Sequence, residues 1–427
     1  MNREMSRRYR EINIGEIAMP ICICKTERNS LIDVDGNAYL DFSSGYGVTN
    51  SGWHRKELIE DIKAGLEKLC YSPPWFPTQE SIQLSEILLS LAPHNLTKCA
   101  RATGGAEANE TIFKAVYALS EKKGILSLTR SYHGGSKFSV NLSDADTFRL
   151  PKLPAFLEYH KVSAPYCYRC PLNKKPSTCK TECAYLVEDA IKNNSDIGVF
   201  FVEPVIGSGG AIVFKDDYLQ MVQQICRHYK VIFALDEVIT GFGRIGEITA
   251  SKYYHLEPDA ISLGKGMSSG LIPIGAAVLS EELANALQNY EDVAATFAWT
   301  PIACLAARLN IEMILHERLA DRASQKGKYL LQQLCFLFNK YLPDNTGDIR
   351  GLGLLIGIEL VESKKTKKPS LHLMKRIGFG LVKNGLMVCT SWDFQTIILM
   401  PPLNISDQEL EKGLNIIETQ LKHFSIQ

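Results

Sequence analysis

Short apolar runs alternate with segments of helical period from about residue 125 to 280, and this alternation constrains the fold more than any other feature. The runs are rich in β-branched and aromatic residues and predict buried strands at GILSLTRSYHGG, VFFVEP, VIFALDE, AISLGKG and IGAAVLS. Between two of them, DDYLQMVQQICRHYK predicts an amphipathic helix that begins at Asp216 or Asp217. The pattern is typical of an α/β fold with a mostly parallel sheet between helices.

A second unit is predicted after Pro301, where a long stretch of helical period is followed by short strands around GLGLLIGIELVE and TIILMPPL. A chain of 427 residues is too long for one ordinary core. We therefore predict a large domain over 51–300 and a smaller α+β domain over 301–427. An N-terminal segment over 1–50 is expected to join the small domain.

The charge balance and the N-terminus argue against several kinds of partner. The 47 basic and 47 acidic residues cancel without forming long runs, so we expect no nucleic-acid partner. The apolar stretch after Gly15 is interrupted by Glu16 and Pro20 and is too short for a signal peptide or a membrane span. We expect a cytoplasmic protein that acts on small molecules and does not enter a membrane.

One group stands out among the 12 cysteines. Its four members, spaced as C-x2-C, x8, C-x3-C, are Cys167, Cys170, Cys179 and Cys183. This spacing suits a structural four-thiolate zinc site or a stapled loop. The surrounding Pro, Lys and Asn indicate an excursion between core elements, so we expect no catalytic metal here.

Three ionisable residues lie at the ends of predicted strands, where parallel sheets bind their ligands. They are Glu203, Asp236 and Lys265. Asp236 could pair with the pyridinium of a pyridoxal-phosphate (PLP) cofactor or could cap a helix. Lys265, between Gly264 and Gly266, could bind such a cofactor covalently or could be a surface lysine in a turn.

Two further segments could complete a cofactor site. TGGAEANETIFKAV places two glycines before a helical segment, whose free N–H groups can receive a phosphate, although many such glycines form plain turns. SYHGGS contributes Tyr132, whose ring could lie on a flat cofactor or simply in the core. Together these groups are what a PLP enzyme requires.

Nine motifs in order resemble the class III (omega-type) aminotransferases of PLP fold type I, nearest the amine- and taurine:pyruvate group. The motifs are DVDGNAYLDFSSG, TGGAEANE, SYHGG, VEPVIGSGG, LDEVITGFGRIG, SLGKGMSSGLIPIGA, TFAWTP, RGLGLLIGIEL and PPLNIS. The resemblance implies a large PLP-binding domain and a homodimer whose two active sites are shared between subunits. It covers about residues 30 to 410.

The resemblance also implies roles for individual residues. Lys265 would bind pyridoxal 5'-phosphate and carry the proton between substrate and cofactor, and Asp236 would bind the pyridine nitrogen. The phosphate would be bound by the N–H groups of Gly105 and Ala106 and by the Thr296 hydroxyl of the partner subunit. Val238 and Tyr132 would lie on the two faces of the ring. His133 and Glu203 would support the site.

The sequence departs from the family where many members bind a substrate carboxylate. Ile398 replaces an arginine three residues before the PPL motif, and Ser208 replaces the glutamate that balances it. The sequence from 384 to 411 contains no basic residue. We therefore expect a donor whose amine is remote from any carboxylate, or that has none, with Tyr46 and Trp53 as candidate substrate contacts.

The predicted function is PLP-dependent transfer of an amino group from a primary amine to a keto acid or aldehyde by a ping-pong mechanism. The same lysine, aspartate and phosphate site could serve a racemase, a decarboxylase or a phospholyase, because the pocket decides which bond breaks. A non-catalytic binding protein of this fold is disfavoured, since every cofactor-handling position keeps a competent residue.

Overall fold

A computed structural model describes residues 1–14, 19–144, 158–290 and 295–425. Its helices are Asn2–Ile12 (α1), Ser44–Gly47 (α2), Lys56–Lys68 (α3), Gln79–Leu91 (α4), Gly105–Leu119 (α5), Lys137–Leu142 (α6), Tyr185–Asn193 (α7), Tyr218–Tyr229 (α8), Ala250–Tyr253 (α9), Glu281–Gln288 (α10), Pro301–His316 (α11), Leu319–Tyr341 (α12), Leu371–Lys383 (α13) and Asp407–Ser425 (α14). Its strands are Ile23–Glu27 (β1), Ser30–Asp33 (β2), Ala38–Asp41 (β3), Leu96–Ala102 (β4), Gly124–Leu128 (β5), Tyr159–Val162 (β6), Ile197–Val202 (β7), Val205–Ile206 (β8), Ile212–Val213 (β9), Ile232–Asp236 (β10), Ala260–Leu263 (β11), Gly275–Ser280 (β12), Thr346–Leu352 (β13), Leu355–Leu360 (β14), Leu386–Met387 (β15), Cys389–Thr390 (β16) and Thr396–Leu399 (β17).

The central sheet confirms the predicted α/β architecture. Within the described ranges it has seven strands in the order β4-β12-β11-β10-β7-β5-β6. Strands β11, β10, β7, β5 and β6 are parallel, whereas β12 runs antiparallel to both β11 and β4. All five predicted strands are present. The predicted helix is α8, which begins at Tyr218, one residue after Asp217.

The continuous apolar runs are explained by burial of the sheet on both faces. Along β7, Val199 and Phe201 join one hydrophobic core, which contains α5, while Phe200 and Val202 join another, which contains α8. Successive side chains of a strand point to opposite faces, so a strand with helices on both sides must be apolar throughout. These two layers hold the carboxyl ends of β7, β10 and β11 side by side.

The C-terminal part contains a four-stranded antiparallel sheet in the order β13-β14-β17-β16, with α12, α13 and α14 packed nearby. The long predicted helical stretch is divided into α11 and α12 by Arg318, whose φ is 53°. Another sheet joins the two ends of the chain, because β15 pairs in parallel with β3 through Leu386 and Leu40. The domain boundaries at residues 50 and 300 remain predictions.

None of the helices in the described ranges has both the length and the apolar character that crossing a bilayer requires.

Candidate active site

Lys265 lies directly beyond the carboxyl end of β11, at the start of a 3-10 turn. Its side chain is partly buried, and in the described part of the chain its amine makes no hydrogen bond or ion pair. Burial lowers the pKa of Lys265, while the charges of Asp236 and Glu203 oppose that shift. Its amine is therefore neutral, and so nucleophilic, more often than the amine of a surface lysine. This contradicts the alternative that Lys265 is an ordinary surface lysine in a turn.

Asp236 is the last residue of the neighbouring strand β10 and is buried. One carboxylate oxygen, Oδ2, lies 2.8 Å from His133 Nδ1 and accepts a hydrogen bond from Asn109 Nδ2 at 3.1 Å. The other, Oδ1, accepts from the Val238 backbone N–H at 3.1 Å. In the described chain no helix follows until Ala250, so the helix-cap interpretation of Asp236 is wrong.

Asn109 was missed by sequence reasoning. It lies on α5, fully inside the protein, and its Nδ2 also donates to the His133 carbonyl at 2.7 Å. The signal available in the sequence was a polar residue one turn after the glycines of TGGAEANE, on the helix face that carries the apolar residues. Its amide positions both His133 and Asp236.

Glu203 and His133 lie near Asp236, and their supporting role stays a prediction. Glu203 is buried, and its two oxygens accept from the backbone N–H groups of Tyr132 and Gly207, each at 2.9 Å. Burial raises the pKa of Glu203 to about 7, against the opposing effect of His133. Glu203 thus fixes the backbone from which Tyr132 projects.

The start of α5 forms a cradle that matches a phosphate. Its first intrahelical bond runs from the Ala108 N–H to the Gly104 carbonyl, so the N–H groups of Gly105 and Ala106 precede the hydrogen-bonded turn. A Cβ on Gly105 would lie 2.7 Å from both methyl carbons of Val238, and one on Gly264 would lie 3.1 Å from the Gly105 nitrogen. Because Gly105 has no side chain, Val238 can approach the start of the helix. Because Gly264 has none, the backbone before Lys265 can approach it too.

These observations fit a PLP group. A buried imidazole nitrogen, Nε2 of His133, has no hydrogen-bond partner in the described chain, and the Lys265 amine is uncommitted. The structure brings Lys265, Asp236, Val238, Glu203, His133, Tyr132, Gly105 and Ala106 into one region. Thr296 is exposed in a turn, and its role in a partner's site stays a prediction.

Tyr46 and Trp53 line the same cavity, of about 430 Å³, together with Ser43, Gly45 and Cys389. Trp53 is held by a hydrogen bond from its Nε1 to Asp41 Oδ2 at 2.7 Å. Tyr46 has a φ of 63°, which places it in the left-handed region that non-glycine residues seldom adopt. The two candidate substrate residues therefore line one cavity, and their role in substrate binding remains a prediction.

The loop that carries Cys167, Cys170, Cys179 and Cys183, here the cysteine loop, shows neither a four-thiolate arrangement nor disulfides. All four thiols are free, and among the described residues no three His, Cys, Asp or Glu side chains are placed to share a metal ion. The loop instead bonds to β14 and to the segment that follows β14. Arg169 Nε donates to the buried Glu359 at 2.7 Å, and Lys367 Nζ donates to the Tyr168 carbonyl at 2.9 Å.

The fold and this site define a PLP-dependent enzyme. The chain belongs to the class III aminotransferase family, whose sequence model matches residues 12–421, and it is therefore a PLP-dependent aminotransferase of that class. The fold is PLP fold type I, as predicted.

Individual known proteins are similar along nearly the whole chain. The adenosylmethionine-8-amino-7-oxononanoate aminotransferase of Methanocaldococcus jannaschii is 31% identical over 421 residues, covering 91% of this chain and 90% of that protein. The leucine/methionine racemase of Thermococcus litoralis is 29% identical over 403 residues, covering 93% and 90%. The crystal structure of a thermostable (S)-enantioselective omega-transaminase from Thermomicrobium roseum superposes with a TM-score of 0.91 at 28% identity, covering 99% and 98%.

Proposed function

We propose that the enzyme takes the amino group from a primary amine that is remote from any carboxylate, and passes it to a keto acid or aldehyde by a ping-pong mechanism. One observation carries the proposal: the uncommitted Lys265 amine lies beside a buried Asp236 that is already oriented by His133 and Asn109. The expected cytoplasmic location stays a prediction.

Asp236 would bind the pyridine nitrogen of PLP, and its fixed orientation supports this role. Hydrogen bonds from Asn109 and the Val238 N–H hold the carboxylate in the orientation in which it would pair with that nitrogen. When bound, PLP supplies an electron sink for charge that develops at the substrate carbon. Lys265 Nζ, with its lowered pKa, would take a proton from that carbon and return one in the next step.

The remaining contacts would hold the cofactor in place. The N–H groups of Gly105 and Ala106 would bind the phosphate with the Thr296 hydroxyl of the partner subunit. Val238 and Tyr132 would lie on opposite faces of the ring, and Glu203 would fix the backbone of Tyr132. The tight packing of Val238 against Gly105 supports a single continuous surface for the phosphate and one ring face.

A homodimer would complete this site. Large aromatic side chains beside Thr296 are exposed in the single chain: Phe297, the next residue, is 69% exposed and Tyr71, which it contacts, is 39% exposed. Phe297 also contacts Tyr71 edge-on, with ring centroids 6.1 Å apart. Exposed aromatic patches of this kind usually mark interaction surfaces, and a second copy of the chain would cover this one.

The absence of the family's carboxylate-binding pair supports a donor amine remote from a carboxylate. Ile398 is buried in β17, and the Ser208 carbonyl accepts a hydrogen bond from the Trp392 N–H at 3.1 Å. Neither position can bind a carboxylate through a charged side chain. Racemisation is a second candidate, because the Thermococcus litoralis relative is named a racemase.

The test is to measure whether an acceptor carbonyl is consumed in step with the product. The full chain loaded with PLP is incubated with a panel of amines and amino acids, with pyruvate, 2-oxoglutarate or an aldehyde as acceptor. Equal consumption of donor and acceptor is expected. Inversion of an amino acid without acceptor consumption would establish the racemase instead, and a strong preference for 2-oxoglutarate over pyruvate would contradict the proposed donor class.

A further inference from the structure

Trp53 is shared by two cavities. Besides the cavity that it lines with Tyr46, it lines a second one of about 420 Å³ whose other walls are polar or charged, here the polar cavity. These walls come from the turn between β1 and β2, from the start of α3, and from residues at and before the start of α14. Apart from Trp53, they have no part in the site described above.

The start of α3 offers unsatisfied backbone donors to the polar cavity. The first intrahelical hydrogen bond runs from the Ile59 N–H to the Arg55 carbonyl at 3.1 Å, and the Arg55 side chain does not cap the helix. Within the described ranges the N–H groups of Lys56, Glu57 and Leu58 therefore have no acceptor. Free N–H groups at the positive end of a helix dipole favour an anion.

Three basic side chains surround this helix start. Arg28, His54 and Lys56 all line the polar cavity, and none of them makes a hydrogen bond or ion pair to any residue that the structure describes. Positive charge at the N-terminus of a helix opposes the helix dipole. The cluster is therefore unfavourable until an anion joins it.

The acidic side chains of the wall do not neutralise this cluster. Glu57 lies near Arg55, with Oε2 3.8 Å from Nε, and Arg55 is also paired with Glu317. Glu409 uses Oε2 to accept from Asn29 Nδ2 at 3.1 Å and from the Ser406 hydroxyl at 2.8 Å. A ligand in the polar cavity thus meets an excess of positive charge.

Two amide oxygens in the wall lack a donor. Asn29 is only 3% exposed, and neither its Oδ1 nor that of Asn404 has a hydrogen-bond partner among the described residues. Both oxygens lie beside Gly52, where a Cβ would be 3.1 Å from Asn29 Oδ1 and 3.0 Å from Asn404 Oδ1. Because Asn29 Nδ2 donates to Glu409, the amide cannot turn over and Oδ1 stays an acceptor. A ligand that supplies a hydroxyl would remove the cost of these unpaired oxygens.

We propose that the polar cavity binds a phosphate that carries a hydroxyl donor, either inorganic hydrogen phosphate or the phosphate monoester of a small polyol. Phosphate oxygens would accept from the N–H groups at the start of α3 and would pair with Arg28, Lys56 and protonated His54. The hydroxyl would donate to Asn29 Oδ1 or Asn404 Oδ1. This ligand is distinct from the cofactor phosphate expected at the start of α5, and the inference goes beyond the proposed function and does not depend on it.

The experiment measures binding by calorimetry to the full chain loaded with PLP, so that the cofactor's own phosphate position is filled. The ligands are inorganic phosphate, glycerol 3-phosphate and sulfate at neutral pH. Sulfate has nearly the shape and charge of phosphate but no hydroxyl, and it should bind about tenfold more weakly. Phosphate binding as tightly as glycerol 3-phosphate would support the inorganic ion as the ligand, and a tighter monoester would support the polyol phosphate.

Charge-neutral variants locate the site. Arg28→Gln and Lys56→Gln should each raise the Kd for phosphate about threefold to fivefold, and the effect should shrink as salt is added. Lys63→Gln, at an exposed position of α3 outside the cavity wall, should leave the Kd unchanged.

Two further readouts separate binding from damage to the fold. Phosphate should raise the melting temperature of the wild type more than that of the double variant Arg28→Gln/Lys56→Gln, although the two melt alike without phosphate. Because Trp53 lines the polar cavity, phosphate should also change the tryptophan emission, and Trp53→Phe should remove that change.

Three results would overturn the proposal. If sulfate binds as tightly as phosphate, the cavity does not recognise a hydroxyl. If the double variant keeps the wild-type affinity, the phosphate binds elsewhere. If neither phosphate nor glycerol 3-phosphate binds at millimolar concentration, the cavity is not a phosphate site. None of these results bears on transamination, which is tested separately by the consumption of donor and acceptor.

Discussion

His133 Nδ1 and Asp236 Oδ2 lie 2.8 Å apart, and both side chains are buried. The imidazole and the Asn109 amide together hold the carboxylate in one orientation. A carboxylate fixed in this way needs no reorganisation to stabilise a positive charge that appears on a bound ring.

Asp236→Asn is expected to slow the conversion of bound PLP to the pyridoxamine form by about a hundredfold to a thousandfold. The amide keeps the shape of the side chain but cannot stabilise a protonated pyridine nitrogen. Single-turnover absorbance measurements with a reactive amine check this. Asp216→Asn, at an exposed position before α8, is the control and should behave as the wild type.

Gly105→Ala is expected to lower PLP affinity at least tenfold, because its Cβ would lie 2.7 Å from both Val238 methyl carbons. Val238→Ala should recover part of this loss in the double variant, since it removes the colliding atoms. Gly135→Ala has no atom within 4 Å of the added Cβ and should leave affinity unchanged. Titration of the PLP-free protein with PLP, followed by fluorescence, measures the wild type and these three variants.

Glu203 predicts a pH dependence of stability. Burial raises the pKa of Glu203 to about 7, so in the pH range from about 4.5 to 7 the folded protein binds more protons than the unfolded chain. Its contribution to the free energy of unfolding is therefore greatest below about pH 4.5, falls as pH rises to about 7, and is constant above that.

Glu203→Gln mimics the protonated side chain and removes this titration. The free energy of unfolding of the wild type minus that of the variant should fall by about 3 kcal/mol between pH 4.5 and 8. Urea unfolding of both PLP-free proteins at several pH values gives this difference. A difference that does not change with pH would show that Glu203 is ionised throughout the range.

The ion pair between the cysteine loop and the C-terminal sheet predicts a difference in stability between two arginine variants. Arg169→Ala should cost about 3 kcal/mol, because it leaves the fully buried Glu359 with one cation fewer. Arg227→Ala removes an exposed pair with Glu257, which solvent screens, and should cost much less. Equal losses in urea unfolding would contradict the structural role of the loop.

The strands and the positions of the two main candidate cofactor residues could be predicted because their signals are local. A continuous apolar run predicts a buried strand, and a parallel sheet places the residues after each run at one edge. That is why the sequence could predict that Lys265 and Asp236 lie at this edge of the sheet. The antiparallel direction of β12 and the break at Arg318 depend on tertiary context that such a pattern does not contain.

Contacts between distant segments could not be predicted. Arg169 and Glu359 are 190 residues apart, and a single sequence gives no signal that they meet. The spacing of the four cysteines gives their order along the chain, whereas the path of the loop determines the distances between their thiols. The spacing therefore suggested zinc or disulfides, whereas the structure has free thiols. Asn109 was missed because a polar residue on a helix is usually exposed.

The absorption spectrum of the PLP-loaded protein, before and after addition of amines without an acceptor, tests the central claim most directly. We expect the band of bound PLP to convert to that of the pyridoxamine form with particular amines. Lys265→Ala should abolish the conversion, and Lys328→Ala, an exposed lysine on α12, should not affect it. If the wild-type protein binds no PLP, or if Lys265→Ala converts at the wild-type rate, the proposed role of Lys265 is wrong.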